Sequence, residues 1–313
     1  MPRKQKRTVG QICEMPLDDK LWLVDERIRE WYEFHNGKVF ISLSGGKDSK
    51  LLEYLVRRLY PEVPCCHVAT GLEYPQLTKF ALEQGNVRVM RPRIGFLEVI
   101  KEYGYPVVSK RVSRYIWDLR RPKGMNEATK NLRLTGLNKK GVFCPSMKLA
   151  SKWRFLVDAP FKISSYCCDI IKKEPLRRYA RETGRFPYVG TIASESQDRL
   201  KMWLKVGCNQ YNAKSPVSAP LSMLTEQEVL ILIRRFNLPL ASVYGEIKEK
   251  PDGTLCCTGV HRTGCMFCMF GAHLEKAPNR FQRMKVTHPQ LWLYCMDKLG
   301  LRDVCKFIGV AVD

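Results

Sequence analysis

No uninterrupted apolar stretch in this sequence approaches the roughly 18 residues that a membrane-spanning helix needs, which excludes a spanning helix. The first seven residues, Met1 to Arg7, are basic, but no apolar segment follows them. A secretory signal is therefore not expected, and cytoplasmic residence without a membrane partner is the default. Histidine is scarce: the five in the chain show no spacing typical of a zinc enzyme, and no Ser-His-Asp arrangement is visible. Acid is scarce too. Against 53 Lys and Arg stand 31 Asp and Glu, a net charge of +22. That balance is unusual for an enzyme of small metabolites and favours a polyanionic partner, most simply nucleic acid, either tRNA or DNA.

Cysteine is plentiful. There are 13, an odd number, in a chain of 313 residues that is long enough to bury a core without disulfide staples. Clustered cysteines in a chain of this kind read as metal ligands or redox groups.

The positive charge is concentrated. Between Lys110 and Arg154 lie 13 Lys or Arg against two acids, Asp118 and Glu127, so these 45 residues hold half the chain's surplus. Tyr115, Trp117, Phe143, Trp153 and Phe155 are interleaved with them. Cations mixed with aromatics can follow a phosphate backbone and stack on bases. Lys110, Arg111, Arg114, Arg120, Arg121 and Lys123 are the candidate nucleic-acid contacts. The alternative is an ordinary basic helical surface whose aromatics turn into the core.

Elsewhere strand and helix patterns alternate. Apolar spacing predicts helices over Leu21–Phe34, Ser49–Leu59, Pro75–Glu83, Phe96–Tyr103 and Glu195–Lys205, and short β-rich runs predict strands at Lys38–Leu43, Cys65–Thr70, Val87–Met90 and Pro187–Ile192. Thr225–Phe236 opens with a Thr-x-x-Glu capping box and predicts a further helix. This alternation implies an α/β fold, a doubly wound, mainly parallel sheet with helices on both faces. The expected organisation is an N-terminal basic arm and helix at 1–36, an α/β domain at 37–245 with a basic helical insertion at about 108–160, and a cysteine-rich C-terminal module at 246–313.

The sharpest local motif is Ser44-Gly45-Gly46-Lys47-Asp48-Ser49, between a predicted strand and a predicted helix. Two glycines allow a tight turn that exposes backbone N–H groups. The helix N-terminus contributes its positive end and Lys47 a full charge, so the segment is a candidate polyphosphate cradle. It is not a Walker A loop, since position 41 is Ile where that motif has Gly.

Ser-Gly-Gly-Lys-Asp-Ser after a strand resembles the PP-loop of the ATP-pyrophosphatase superfamily, and in particular its phosphoadenosine-phosphosulfate (PAPS) reductase family. The resemblance continues through Val68-Ala69-Thr70-Gly71-Leu72-Glu73-Tyr74-Pro75, Gly190-Thr191-Ile192-Ala193-Ser194-Glu195-Ser196-Gln197-Asp198-Arg199 and the stretch from Pro220 to Val229. It covers roughly Lys38 to Gly271. Ala69 stands where the family has Asp, and Ile192 where it has Arg. The resemblance implies an adenine-nucleotide alpha hydrolase-like fold and binding of ATP with Mg²⁺, or of APS or PAPS as substrate. It implies nucleotide contacts at Ser44, Gly45, Gly46, Lys47, Asp48, Ser49, Thr70, Gly71, Glu195, Ser196 and Arg199, with Lys47 and Asp48 as catalytic candidates.

Cys167-Cys168, followed after 96 intervening residues by Cys265-Met266-Phe267-Cys268, resembles the four-cysteine [4Fe–4S] pattern of iron–sulfur sulfonucleotide reductases and of DNA phosphorothioation ATP-pyrophosphatases. Thiolates are soft anionic donors that suit iron, and Lys172, Lys173 and Arg262 would offset the charge of such a cluster. Two readings compete with it. Cys256, Cys257, Cys265 and Cys268 form an alternative quartet for Zn²⁺, or the cysteines are buried thiols without a metal. Cys13, Cys65, Cys66, Cys144, Cys208, Cys295 and Cys305 read individually as core residues, one of which could carry sulfur.

Three functions follow as expectations. The first is an adenylating sulfur transferase acting on nucleic acid, fed by a sulfur donor such as a cysteine desulfurase. The second is APS or PAPS reduction to sulfite, with thioredoxin as partner. It needs a mobile nucleophilic cysteine, and the tail from Asp303 to Asp313 lacks the usual Glu-Cys-Gly-x-His segment, with Cys305 in an apolar pattern. The third is a non-catalytic nucleic-acid-binding protein.

Overall fold

The computed structural model describes residues 14–313; the basic stretch at the N-terminus and Cys13 lie outside the described residues. Among the described residues the strands are β1 (Val39–Ser42), β2 (Cys65–Val68), β3 (Val87–Met90), β4 (Val107–Val108), β5 (Phe186–Val189), β6 (Asn209–Gln210), β7 (Val217–Ser218), β8 (Ile247–Glu249), β9 (Leu255–Cys257) and β10 (Met269–Phe270). The chain divides into two compact units, one of residues up to Arg91 with Pro175–Thr263, the other of Pro92–Glu174 with Gly264–Asp313.

The first unit is built on a six-stranded sheet in the order β3-β2-β1-β5-β7-β6, parallel throughout except for β6 against β7. The expected α/β, doubly wound and mainly parallel sheet is what the chain forms. β1, at the centre, is buried at Val39, Phe40 and Ile41 because both faces of the sheet are covered. Helix Leu17–Phe34 turns Val24, Ile28 and Trp31, at i, i+4 and i+7, into this core. Helix Lys47–Leu59 adds Leu51, Leu52, Leu55 and Val56. Each such buried aliphatic side chain contributes roughly 1.5–3 kcal/mol. Helix Glu226–Arg235 starts with the expected capping box, in which Thr225 and Glu228 each satisfy the other's backbone N–H.

The order of the strands locates a site. The chain runs from β1 to β2 on one side, and β5 pairs on the other, so the connections diverge at β1. In open α/β sheets ligands bind beyond the carboxyl ends of the strands at such a switch point. The loops that emerge there are Ser44–Lys47 after β1, Ala69–Tyr74 after β2 and Gly190–Ser196 after β5.

The second unit joins the basic insertion to the C-terminal residues. β4 pairs in parallel with β10, Val107 against Met269 and Val108 against Phe270. That pairing groups the chain in space differently from a linear division at residue 246: residues 246–263 belong with the sheet unit, and the insertion belongs with 264–313. Helix Lys110–Leu119 is N-capped by Ser109, whose Oγ accepts from Val112 N at 3.1 Å, and it buries Val112, Tyr115 and Ile116.

Candidate functional site

After β1 the chain turns sharply and enters helix Lys47–Leu59. Gly45 makes the turn at φ +78°, and a Cβ there would stand 2.4 Å from the Leu77 carbonyl oxygen, so both the conformation and the space demand glycine. Gly190, just past β5, is demanded by closeness alone: a Cβ would stand 2.9 Å from the Asp48 carbonyl and the Ser49 backbone. β5 stops at Val189, short of the Ile192 that the apolar run suggests, where its partner β1 ends at Ser42. Ser49 Oγ donates to the Gly46 carbonyl at 2.8 Å and accepts from Ser44 N at 3.2 Å, with Ser44 Oγ 3.0 Å away. The two serines thus hold the loop from within.

Lys47 does not project into solvent. It is 5% exposed. Its Nζ donates to Glu226 at 2.6 Å and to the His261 carbonyl at 2.9 Å. Its backbone N–H donates to Tyr244 Oη at 3.2 Å, and that hydroxyl lies 2.6 Å from Thr263 Oγ1. Burial pushes the Glu226 carboxyl up, but the hydrogen bond and charge of Lys47 outweigh it and hold Glu226 below the ordinary glutamate range. Asp48 shows the opposite balance. Burial raises its carboxyl above the usual aspartate value despite the charges of Lys47, Arg262 and Arg199. Asp48 Oδ1 is buried with no hydrogen-bond partner among the described residues. An orphaned carboxylate oxygen is the kind of hard donor that suits a Mg²⁺ arriving with a nucleotide.

The loop after β2 is held by Glu73. Its carboxylate accepts from the Thr70 N–H at 2.9 Å, the Leu72 N–H at 3.1 Å, the Thr78 hydroxyl at 3.2 Å and the Thr70 hydroxyl. These bonds overcome burial and lower its pKa. His67, buried beneath, has Nδ1 2.8 Å from the Leu43 carbonyl and Nε2 3.9 Å from Glu73. A carboxylate therefore stands at this strand end although position 69 is Ala. Ile192, at the family's Arg position, is buried in the core instead. After β5, Glu195 pairs with Arg199, and Ser196 caps the helix Gln197–Val206.

Ser44 to Ser49 and Gly190 are thus in direct contact, and Arg199 is within electrostatic reach of Asp48. Tyr244 and Thr263 had no motif to announce them, and Glu73 and Glu226 lie within stretches that carry the resemblance without having been singled out as site residues. Arg262, expected beside the cysteines, acts on Asp48, Glu226 and Arg199 within the first unit.

All four expected iron ligands lie in the second unit. Cys167 and Cys168 lead into a π-helical turn, Asp169–Lys173, a distortion often found at functional positions. Cys265 and Cys268 form a tight turn, with Cys268 N donating to the Cys265 carbonyl at 3.1 Å, while Met266 and Phe267 between them are buried. Burial raises Cys167, and the charges of Cys168, Cys265 and Cys268 raise it further. Burial likewise pushes Cys268 up to about 11, with Cys265 and Cys168 adding to it. Four soft donors within electrostatic reach of one another fit an iron–sulfur group by donor chemistry. Among the described residues, however, no three His, Cys, Asp or Glu side chains are already arranged to hold a metal ion, so ligation requires the thiols to draw together. Cys256 and Cys257 are on β9 of the first unit, whereas Cys265 and Cys268 are in the second.

The basic insertion sorts its cations. Lys110, Arg111, Arg114 and Lys123 are exposed and Arg121 is half-buried. Arg120 is committed to the fold, which corrects its expected role as a nucleic-acid contact. Its guanidinium donates to the carbonyls of Val157 at 2.7 Å, Phe161 at 2.5 Å, Leu156 at 3.0 Å and Ala159 at 2.6 Å. It adds a charged donor at the C-terminal end of the 3₁₀ segment Ser151–Asp158, where the Leu156 carbonyl also accepts from the Ala159 N–H at 3.4 Å. Tyr115 is buried, and Phe143 and Phe155 are exposed. No helix among the described residues is long and apolar enough to cross a membrane.

The sheet order and the loop at its switch point define an α/β protein with a strand–glycine loop–helix unit at the carboxyl end of β1. No protein-family model matches the chain, and no curated protein matches it in sequence. Among solved structures, it is similar to a phosphoadenylyl-sulfate (PAPS) reductase from Candida auris in a phosphate complex, at 12% identity and TM-score 0.40 over 79% of this chain and 93% of that one. It is similar to the U34-tRNA thiolase NcsA from Methanococcus maripaludis with its [4Fe-4S] cluster, at 16% identity and TM-score 0.40 over 91% and 78%. The NH3-dependent NAD synthetase from Campylobacter jejuni aligns at 14% identity and TM-score 0.35 over 72% and 75%. At these scores the likenesses add nothing to what the sheet order itself defines.

Proposed function

We propose that this chain is a PP-loop enzyme that uses ATP to adenylate an acceptor oxygen on a nucleic acid, as the first half of a sulfur transfer. The observation that carries the reading is the Ser44–Ser49 loop at the switch point of the sheet, with Lys47 buried beside it and Asp48 left with an unpaired carboxylate oxygen. The backbone N–H groups at the start of helix Lys47–Leu59 hold the triphosphate, and the buried ammonium of Lys47 adds positive charge to the loop. Asp48 would hold the Mg²⁺ that accompanies the nucleotide, whose charge would offset that of the phosphates. Arg199 and Arg262 add positive charge around the same carboxylate. The acceptor oxygen attacks the α-phosphorus, pyrophosphate leaves, and the adenylated acceptor then loses AMP to a sulfur nucleophile.

Cys167, Cys168, Cys265 and Cys268 are the residues that would hold an iron–sulfur cluster, which when bound supplies a site for activating sulfide or persulfide sulfur. Exposed cations of the insertion would hold the nucleic acid. The reductase reading is weaker because it needs a mobile thiolate. Cys305 and Cys295 are fully buried, and burial pushes the Cys305 thiol up to about 12.

Product analysis tests the reading. Anaerobically prepared protein should convert ATP to AMP and pyrophosphate. Sulfite from APS or PAPS with thioredoxin, in the absence of ATP turnover, would overturn it.

A further inference from the structure

Between the helix Glu127–Thr135 and residue 144 the chain makes a tight hairpin that no motif announces. Leu137 and Phe143 bridge in antiparallel register. Asn138 N donates to the Val142 carbonyl and Gly141 N to the Asn138 carbonyl, each at 3.0 Å, and Cys144 N closes the base on the Gly136 carbonyl at 2.7 Å. Asn138 Oδ1 accepts from Lys140 N at 2.9 Å and Val142 N at 3.0 Å, which fixes the tip from inside. The root is anchored by Arg133, which is buried, pairs with Asp118 at 3.0 Å and lies 3.9 Å over the Tyr115 ring.

This rigid hairpin shows apolar and basic groups outward. Leu137 is 39% exposed, Val142 56% and Phe143 57%. The Phe143 ring lies against Gly136, where a Cβ would stand 2.7 Å from it. Lys139 and Lys140 at the tip are exposed, and neither ammonium has an ion-pair partner among the described residues. The nearby acids are spent: Asp118 on Arg133 and Glu127 on Lys130. Beside the tip, Ala128, Thr129, Leu132, Asn138, Lys139 and Lys140 line a cavity of about 310 Å³, at the lower end of volumes that hold small organic ligands. An apolar floor with a rim of unpaired cations complements a base attached to a phosphate.

We propose that the 137–143 hairpin is a contact for unpaired nucleotides: Phe143 stacks on one base, Lys139 and Lys140 meet the flanking phosphates, and the cavity over Leu132 takes the neighbouring base. The inference deepens the proposed function and rests on its nucleic-acid acceptor. Charge complementarity favours a nucleic acid over a protein partner.

The test is binding of the full chain, without ATP, to a fluorescent single-stranded oligonucleotide and to the matched duplex, across a salt series. Phe143→Ala should weaken single-strand binding about tenfold, with duplex binding and salt slope nearly unchanged. Lys139→Ala/Lys140→Ala should reduce the single-strand salt slope by about 1.4, at roughly 0.7 per phosphate. Phe143→Leu, which keeps bulk without an aromatic face, should behave like Phe143→Ala and guards against misfolding as the cause. Wild-type binding unaltered by any of these variants would overturn this inference and leave the nucleic-acid reading standing. Absence of wild-type binding to either nucleic acid would overturn both, and would move the exposed hairpin to a protein partner.

Discussion

The phosphate loop and the 137–143 hairpin both use lysine, in opposite ways. Lys47 is buried, and its ammonium is held by a carboxylate and a carbonyl. Lys139 and Lys140 are exposed, and neither ammonium has an ion-pair partner among the described residues. A buried cation interacts strongly but must be compensated, so its partner becomes part of the site. An exposed cation is screened by salt and acts additively with its neighbours. The loop should therefore respond to single substitutions steeply, and the hairpin in small, salt-dependent steps.

The largest effect is expected at the loop. Lys47→Ala should lower pyrophosphate release at least a hundredfold in steady-state assays, and it strands Glu226 without its partner. Cluster ligation gives a second large effect. Replacing Cys167 or Cys268 by Ser should abolish iron and sulfide content in anaerobic preparations, while Cys256→Ser should leave both intact. Loss of metal from Cys256→Ser instead would favour the alternative quartet.

Arg120 is the insertion cation that behaves like the loop. Arg120→Ala removes a charged donor from four carbonyls and should cost about 3 kcal/mol of stability, read by denaturant unfolding, with little change in the salt slope of nucleic-acid binding. A slope change without loss of stability would break the distinction between committed and free cations.

Asp48 and Glu73 sharpen the comparison through opposite pH signatures. Asp48 has a folded pKa raised above 3.8, so ionising it costs stability as pH rises. Asp48→Asn should melt a few degrees higher than wild type at pH 7 while losing activity, and the gap should vanish below about pH 4. Glu73 has a folded pKa held below 4.5, so it contributes stability above that pH and loses it as pH falls through the folded value. Glu73→Gln should melt a degree or two lower at pH 7, with the gap closing in acid.

Much of this architecture was legible in the residues. The expected helices and strands through Thr225–Phe236 match observed elements within a few positions, and most of them bury an apolar stripe; helix Gln197–Val206 buries none and is marked instead by its Ser196 cap. The Ser44–Ser49 loop was legible because glycines and a helix start leave a local signature. The two-residue strands β4, β6, β7 and β10 were not, since such short segments carry no periodicity. Glu226 and Tyr244 reach Lys47 from 179 and 197 residues away, and no local pattern encodes that meeting. Arg120 looked like its exposed neighbours because sequence shows a charge but not the carbonyls that a long side chain reaches.

Pyrophosphate release from ATP by anaerobically purified protein, with and without tRNA or DNA, is the most direct test of adenylation of a nucleic acid. Release stimulated by nucleic acid and lost in Lys47→Ala is the predicted result; ATP turnover indifferent to nucleic acid, or unchanged by that substitution, would contradict it.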